Sequence, residues 1–206
     1  MSELGNAKII GGIGSLLMLI GGITTAFTAG LLSLIGFIMV FIAVKMIADE
    51  VKEKAIFDNY LYSFIAMIIA VIVLIAIAIV VFASVGGIQF FTDLQNMAMT
   101  EPLEIFNYLQ PVLFGAIAGL LVFWVIAIIS SLFYRKSFNL IAEKTGIKRF
   151  ETVGLLVFIG TITTIVLIGF IILLIAGILE IIAFFSLPDK LTEEKSIENK
   201  SVDTEK

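Results

Sequence analysis

One charge stands in the last apolar run of this sequence. It is Glu180, within the 35 residues from Val153 to Leu187. A charge at membrane depth costs about 2.5–3.5 kcal/mol on insertion scales. Each Ile or Leu around it returns only about 0.3–0.6 kcal/mol. Such a residue is a candidate functional group that faces a wet cavity or the interior of a helix bundle. The plainer readings are that it is protonated, reaches toward the interface, or hydrogen-bonds a neighbouring helix. The chain holds no His and no Cys. That removes thiolate chemistry, the commonest metal ligand and the usual proton shuttle. With no second acid plainly at its depth, Glu180 has no evident partner for a proton relay.

A second polar set is made of threonines. Thr24, Thr25 and Thr28 lie in the first apolar run, and Thr161, Thr163 and Thr164 in the last. Facing one another, they could line a small polar cavity. Alternatively each hydroxyl bonds a carbonyl of its own helix or a neighbouring one. Gly115 and Gly119, four apart, allow another backbone to approach closely and so mark a helix-packing face, within the chain or between copies. Gly14, Gly21 and Gly22 read the same way, and Trp124 reads as packed inside a bundle. Arg135, Lys136, Lys144, Lys148 and Arg149 form a basic surface, which attraction to anionic headgroups explains without a specific ligand. There is no Walker motif, no Ser-His pair, no His-Glu-x-x-His and no dinucleotide fingerprint. The expectation is therefore no enzyme, no metal and no cofactor.

The elements that position these residues follow from composition. The 206 residues are 60% hydrophobic and 15% charged. A soluble domain is nearer 45–50% apolar, so lipid is the expected solvent. Only helices and closed barrels satisfy their backbone in lipid. The apolar runs show no strict alternation, which selects helices. The run from Ile9 to Val44 is 36 residues without a charge. As one helix it would be about 54 Å long, against a hydrocarbon thickness of about 30 Å. Two helices fit, turning near Thr28-Ala29-Gly30. The last run divides in the same way near Leu167-Ile168-Gly169. The expected fold is all-α integral membrane, with six transmembrane helices over about 9–27, 30–48, 61–84, 111–134, 152–168 and 169–187. They form one polytopic domain, 1–187, followed by a polar, disordered tail, 188–206. The first span reads as an uncleaved one. Tyr60 and Tyr62 are expected in an interfacial belt. Thr100 and Pro102 are expected to open a short helix along the membrane surface. Gly146 is expected to cap the helix that carries Lys144.

Charge orients this arrangement. The 13 Lys and Arg residues fall at Lys8, in Lys45 to Lys54, in Arg135 to Arg149 and in the tail, and none falls between Ser84 and Gln110. Six spans put all four basic places on one side, so the positive-inside rule favours cytoplasmic termini. It does not separate full spans from re-entrant hairpins. The first and last hairpins also match. Leu16-Leu17, Ile20-Gly21, Ile23-Thr24-Thr25 and Gly30 correspond to Leu155-Leu156, Ile159-Gly160, Ile162-Thr163-Thr164 and Gly169 at an offset of 139. Both start on the same side, which makes them a parallel repeat rather than an inverted one.

Arg135-Lys136-Ser137-Phe138, Ala142-Glu143-Lys144-Thr145-Gly146 and Ala183-Phe184-Phe185-Ser186-Leu187 carry a resemblance. With Leu4-Gly5-Asn6-Ala7-Lys8 and Ile47-Ala48-Asp49, they make the chain similar to the archaeal multi-pass membrane proteins grouped as domain of unknown function 996. The likeness runs to Leu187. It implies an archaeal cell membrane and adds no activity. Glu180 and the acidic tail look like departures from the family pattern.

The functional expectation is a non-enzymatic membrane partner, scaffold or organising protein. The alternative is a small-solute or ion transporter or channel with a polar cavity between the hairpins. Expected partners are the lipid bilayer and a second copy or another membrane protein, with no nucleic acid.

Overall fold

The computed structural model describes residues 3–24, 28, 30–97 and 102–189. Thr25, Thr100 and the tail beyond Asp189 lie outside the described residues. Within them the chain is all-helical, without strands. The helices are α1 Glu3–Ile23, α2 Leu31–Glu50, α3 Lys54–Ser84, α4 Gln89–Met97, α5 Pro102–Thr145, α6 Arg149–Thr163 and α7 Ile168–Phe185. A short 3-10 turn, Thr164–Val166, joins α6 to α7. Six of the helices are long and apolar enough to cross a membrane, the exception being α4.

Each long apolar run holds two helices, and the two turns are made differently. Gly30 enters α2 with φ 76°, where glycine has no steric cost. In the last run the left-handed residue is Leu167, with φ 64°, within the stretch where the turn was expected. Gly169 serves a close approach instead. A Cβ on it would run into the Gly160 carbonyl oxygen and the Thr164 backbone. The break between α2 and α3 carries Lys52 at φ 55°, and two others lie at glycines with positive φ. Gly86 and Gly87 follow α3, and Gly146 follows α5. The Gly146 N–H donates to the Ala142 carbonyl at 2.8 Å, closing the end of α5.

The described residues fall into two compact units. The first takes those up to Phe64 and those from Ser130 onward. Here α1 packs on α2 and on α7, and α6 packs on α7. Close packing holds these apolar helices together. Small residues supply it. A Cβ on Gly14 would lie 2.8 Å from the Gly36 carbonyl oxygen. Gly21 of α1 meets Ser33 of α2, and Gly160 of α6 meets Leu173 of α7. The core of this unit gathers at the helix ends that carry the basic connectors. Phe138, Phe150 and Phe184 are fully buried there, with Phe150 and Phe184 edge to face at 5.2 Å. Ser137 Oγ donates to the Ile56 carbonyl at 2.7 Å, and Ser130 Oγ to the Ser63 carbonyl at 2.8 Å. These two bonds set the register of α3 against α5. Lys144 pairs with Glu53 at 3.3 Å and Lys8 with Asp189 at 3.5 Å.

The second unit is Ile65–Ile129. Its side chains are apolar nearly all round and largely exposed, a surface suited to lipid. Gly115 and Gly119 lie against Val81, Ile77 and Leu74. Tyr108 stacks on Phe90 at 5.2 Å and donates to the Asp93 carboxylate at 3.0 Å.

Two expectations do not hold. Pro102 opens no short surface helix. It begins α5, which is 44 residues long and continues through Pro111. The short amphipathic helix is α4, nine residues. A proline inside a helix forfeits one backbone donor, so Pro111 resembled a boundary although the helix passes through it. Tyr60 is not in an exposed belt. It is 3% exposed, whereas Tyr62 is 53% exposed. The Tyr60 ring lies among Phe37, Tyr134 and Phe138 at 5.8–6.4 Å, because its apolar body fits the aromatic core.

Candidate functional site

On α7, Glu180 and Phe184 are four residues apart and share a face. On α1, Gly11 and Ser15 have the same spacing. The two helices meet antiparallel along these faces. The Phe184 ring lies on Gly11, where a Cβ would collide with it. One turn away Glu180 stands beside Ser15. Further along, the Leu19 side chain would be 3.1 Å from a Cβ on Gly177. At the other end Phe185 covers Gly12. Glycine on one helix and phenylalanine on the other thus bring the backbones close enough for a short serine to face a glutamate.

The Glu180 side chain is buried, with the residue 8% exposed. Around its carboxyl stand the hydroxyls of Ser15 from α1 and Tyr134 from α5. Tyr60 of α3 is close enough to feel its charge. The Ser15 and Tyr134 hydroxyls both face the Glu180 carboxyl, and neither has another hydrogen-bond partner among the described residues. Among those residues no lysine or arginine pairs with Glu180. The site is therefore one carboxyl with oxygen-bearing side chains from three other helices. Such a set can hold a proton or a hard cation. It offers no soft ligand and no imidazole.

The threonines do something else. Thr24 Oγ1 donates to the Ile20 carbonyl at 2.8 Å, and Thr28 Oγ1 to the Thr24 carbonyl at 3.2 Å. Thr161, Thr163 and Thr164 donate to Val157, Ile159 and Gly160, each at 2.8 Å. All five return their hydroxyls to their own helix, one turn back. Thr24, Thr163 and Thr164 are not brought to Glu180.

Nor do the basic residues converge. The Arg135 guanidinium lies over the Phe158 ring at 5.5 Å and the Lys136 ammonium over Phe133 at 5.4 Å. Lys144 is taken by Glu53. Arg149 Nη1 donates to Ser186 Oγ at 2.8 Å, tying the start of α6 to the end of α7. Lys148 helps line a cavity of about 440 Å³ with Asn139, Glu143 and Glu151. Arg135, Lys136, Lys144 and Arg149 are thus each used locally.

Sequence reasoning found Glu180 and missed Ser15, Tyr60 and Tyr134. The available signal was the spacing of Gly11 and Ser15. Together they make a small-residue face on α1 that a large partner could approach.

The comparisons agree with the resemblance. The model of a family described as protein of unknown function, DUF996, matches residues 32–178. An uncharacterised protein of Methanocaldococcus jannaschii is 33% identical over 192 residues, covering 93% of this chain and 97% of its own. No solved structure matches. The matched span runs from α2 into α7 and the relative is aligned nearly end to end, so the chain belongs to the DUF996 family.

Proposed function

We propose that this chain is a non-enzymatic integral membrane protein that acts through packing, as a partner subunit, scaffold or organiser of other membrane components. In this reading its six helices span an archaeal cell membrane with both termini in the cytoplasm. Its two hairpins are a parallel repeat. It meets the bilayer together with a second copy or another membrane protein, and no nucleic acid. Placement of the basic connectors supports the orientation. The pairs Gly21–Ser33 and Gly160–Leu173 stand at offsets of 139 and 140, which supports the repeat.

The observation that carries the packing role is the threonine set. Every described threonine of the hairpin tips spends its hydroxyl on its own helix, and glycines fill the contacts between helices. Polar side chains used in this way line no path. The test is reconstitution into liposomes. Purified protein is expected to give no solute or ion flux above empty vesicles. In native membranes, photo-crosslinkers on the exposed face at Ile75 or Ile117 are expected to trap one discrete adduct. Flux that changes in Thr163→Val or Thr164→Val would overturn the packing role.

One observation favours a second reading, a transporter or channel with a polar route between the hairpins. Glu180 of the last hairpin meets Ser15 of the first, so one polar contact does lie between them.

A further inference from the structure

The cluster around Glu180 has a chemistry that the packing role leaves unused. Its carboxyl is buried at the α1–α7 seam, six residues before the end of α7 counting inclusively, about 8 Å along the helix. Ionised, it would be a charge without a cationic side chain to meet it among the described residues. An unpaired buried charge is far costlier than a neutralised one. Every group identified around it offers oxygen: Ser15 from α1, Tyr60 from α3 and Tyr134 from α5. Of these only the two tyrosines titrate, and neither carries positive charge. Two of the hydroxyls are buried facing this carboxyl, with no other partner among the described residues. Hydroxyls alone leave a buried carboxylate's charge uncompensated, so the arrangement is better explained by a neutralising occupant than by packing alone.

We propose that Glu180, Ser15, Tyr134 and Tyr60 form a binding site for one monovalent cation, either a proton carried on the carboxyl or a sodium ion among the oxygens. The shared chemistry is a single positive charge that neutralises the carboxylate. Its consequence is mechanical. Neutralised, Glu180 lets Phe184 stay seated on Gly11 and the two hairpins stay closed. Charged and empty, it loosens the same seam. Occupancy thus regulates how firmly the first hairpin holds the last. This inference goes beyond the packing role and stands whether or not a protein partner exists.

The test uses the full chain in detergent, with thermal unfolding of wild type and Glu180→Gln followed in parallel. Glutamine keeps the shape and is neutral at every pH. For a sodium site, replacing choline chloride by sodium chloride at constant ionic strength raises the wild-type midpoint by about 3 °C or more. For a proton site, lowering the pH does so and sodium adds nothing beyond choline. In both cases Glu180→Gln loses the response. If wild type and Glu180→Gln respond identically to pH and to sodium, the site does not exist. Should the variant fail to fold, carbodiimide labelling of wild type replaces it. Modification at Glu180 that is accelerated by acid or slowed by sodium supports the site. Modification indifferent to both, or no modification, overturns it.

Discussion

At the scale of single residues the fold depends on where a Cβ is absent. Gly11 accepts the Phe184 ring and has no room for a methyl group. Gly22, eleven residues on in the same helix, has nothing within 4 Å of its missing Cβ. The same substitution should therefore have opposite signs. Gly11→Ala is expected to lower stability by about 1–3 kcal/mol through overpacking. Gly22→Ala is expected to raise it by about 0.5–1 kcal/mol through lower backbone entropy in the unfolded chain. Thermal unfolding of the two variants in detergent reads both signs. Equal effects would mean that α1 and α7 do not close in the register described. Glu180 itself was legible, because a lone charge in an apolar run is visible without any fold. Its partners were not. Ser15, Tyr60 and Tyr134 come from helices far apart in the chain, and only the crossing of α1 with α7 and the register of α3 on α5 bring them together.

At the scale of elements, length arithmetic divided the two apolar runs, since neither can cross a bilayer once and stop. Glycine chemistry located Gly30 and Gly146, and length placed the second turn near Leu167-Ile168-Gly169, where it lies. There the left-handed position falls on Leu167, while Gly169 is needed for contact with Gly160. A turn and a close approach both ask for glycine, and sequence alone does not say which use a given glycine has. Leu167 sits in a conformation that costs an ordinary residue about 1–2 kcal/mol. Leu167→Gly is accordingly expected to be neutral or stabilising by up to about 1 kcal/mol, and Gly30→Ala destabilising by about 1 kcal/mol. Denaturation midpoints compare the two. A destabilised Leu167→Gly would mean that the leucine side chain contributes more than its backbone strain removes. The long α5 was hidden by Pro111 for a similar reason. Proline is common in the first turn of a helix and merely tolerated inside one.

At the scale of the whole molecule, six helices are long and apolar enough to cross a membrane. In the arrangement proposed for them, two parallel hairpins present their tips to the outside and their charged ends to the cytoplasm. The packing role depends on it, whereas the α1–α7 seam that holds the cation site is set by Gly11 against Phe184 and Ser15 beside Glu180. Composition alone pointed to lipid, and the expectation of six long apolar helices followed from length. The direction of the chain rests on charge. The absence of native cysteine in the sequence allows that direction to be read directly. Single cysteines at Leu31 and Ile168, both exposed beside the hairpin turns, and one at Lys45 as a control, can be probed in intact cells with a membrane-impermeant maleimide. The account expects Leu31→Cys and Ile168→Cys to label from outside and Lys45→Cys to label only after the membrane is opened. Protection of both hairpin sites in intact cells, with Lys45→Cys labelled instead, would contradict it.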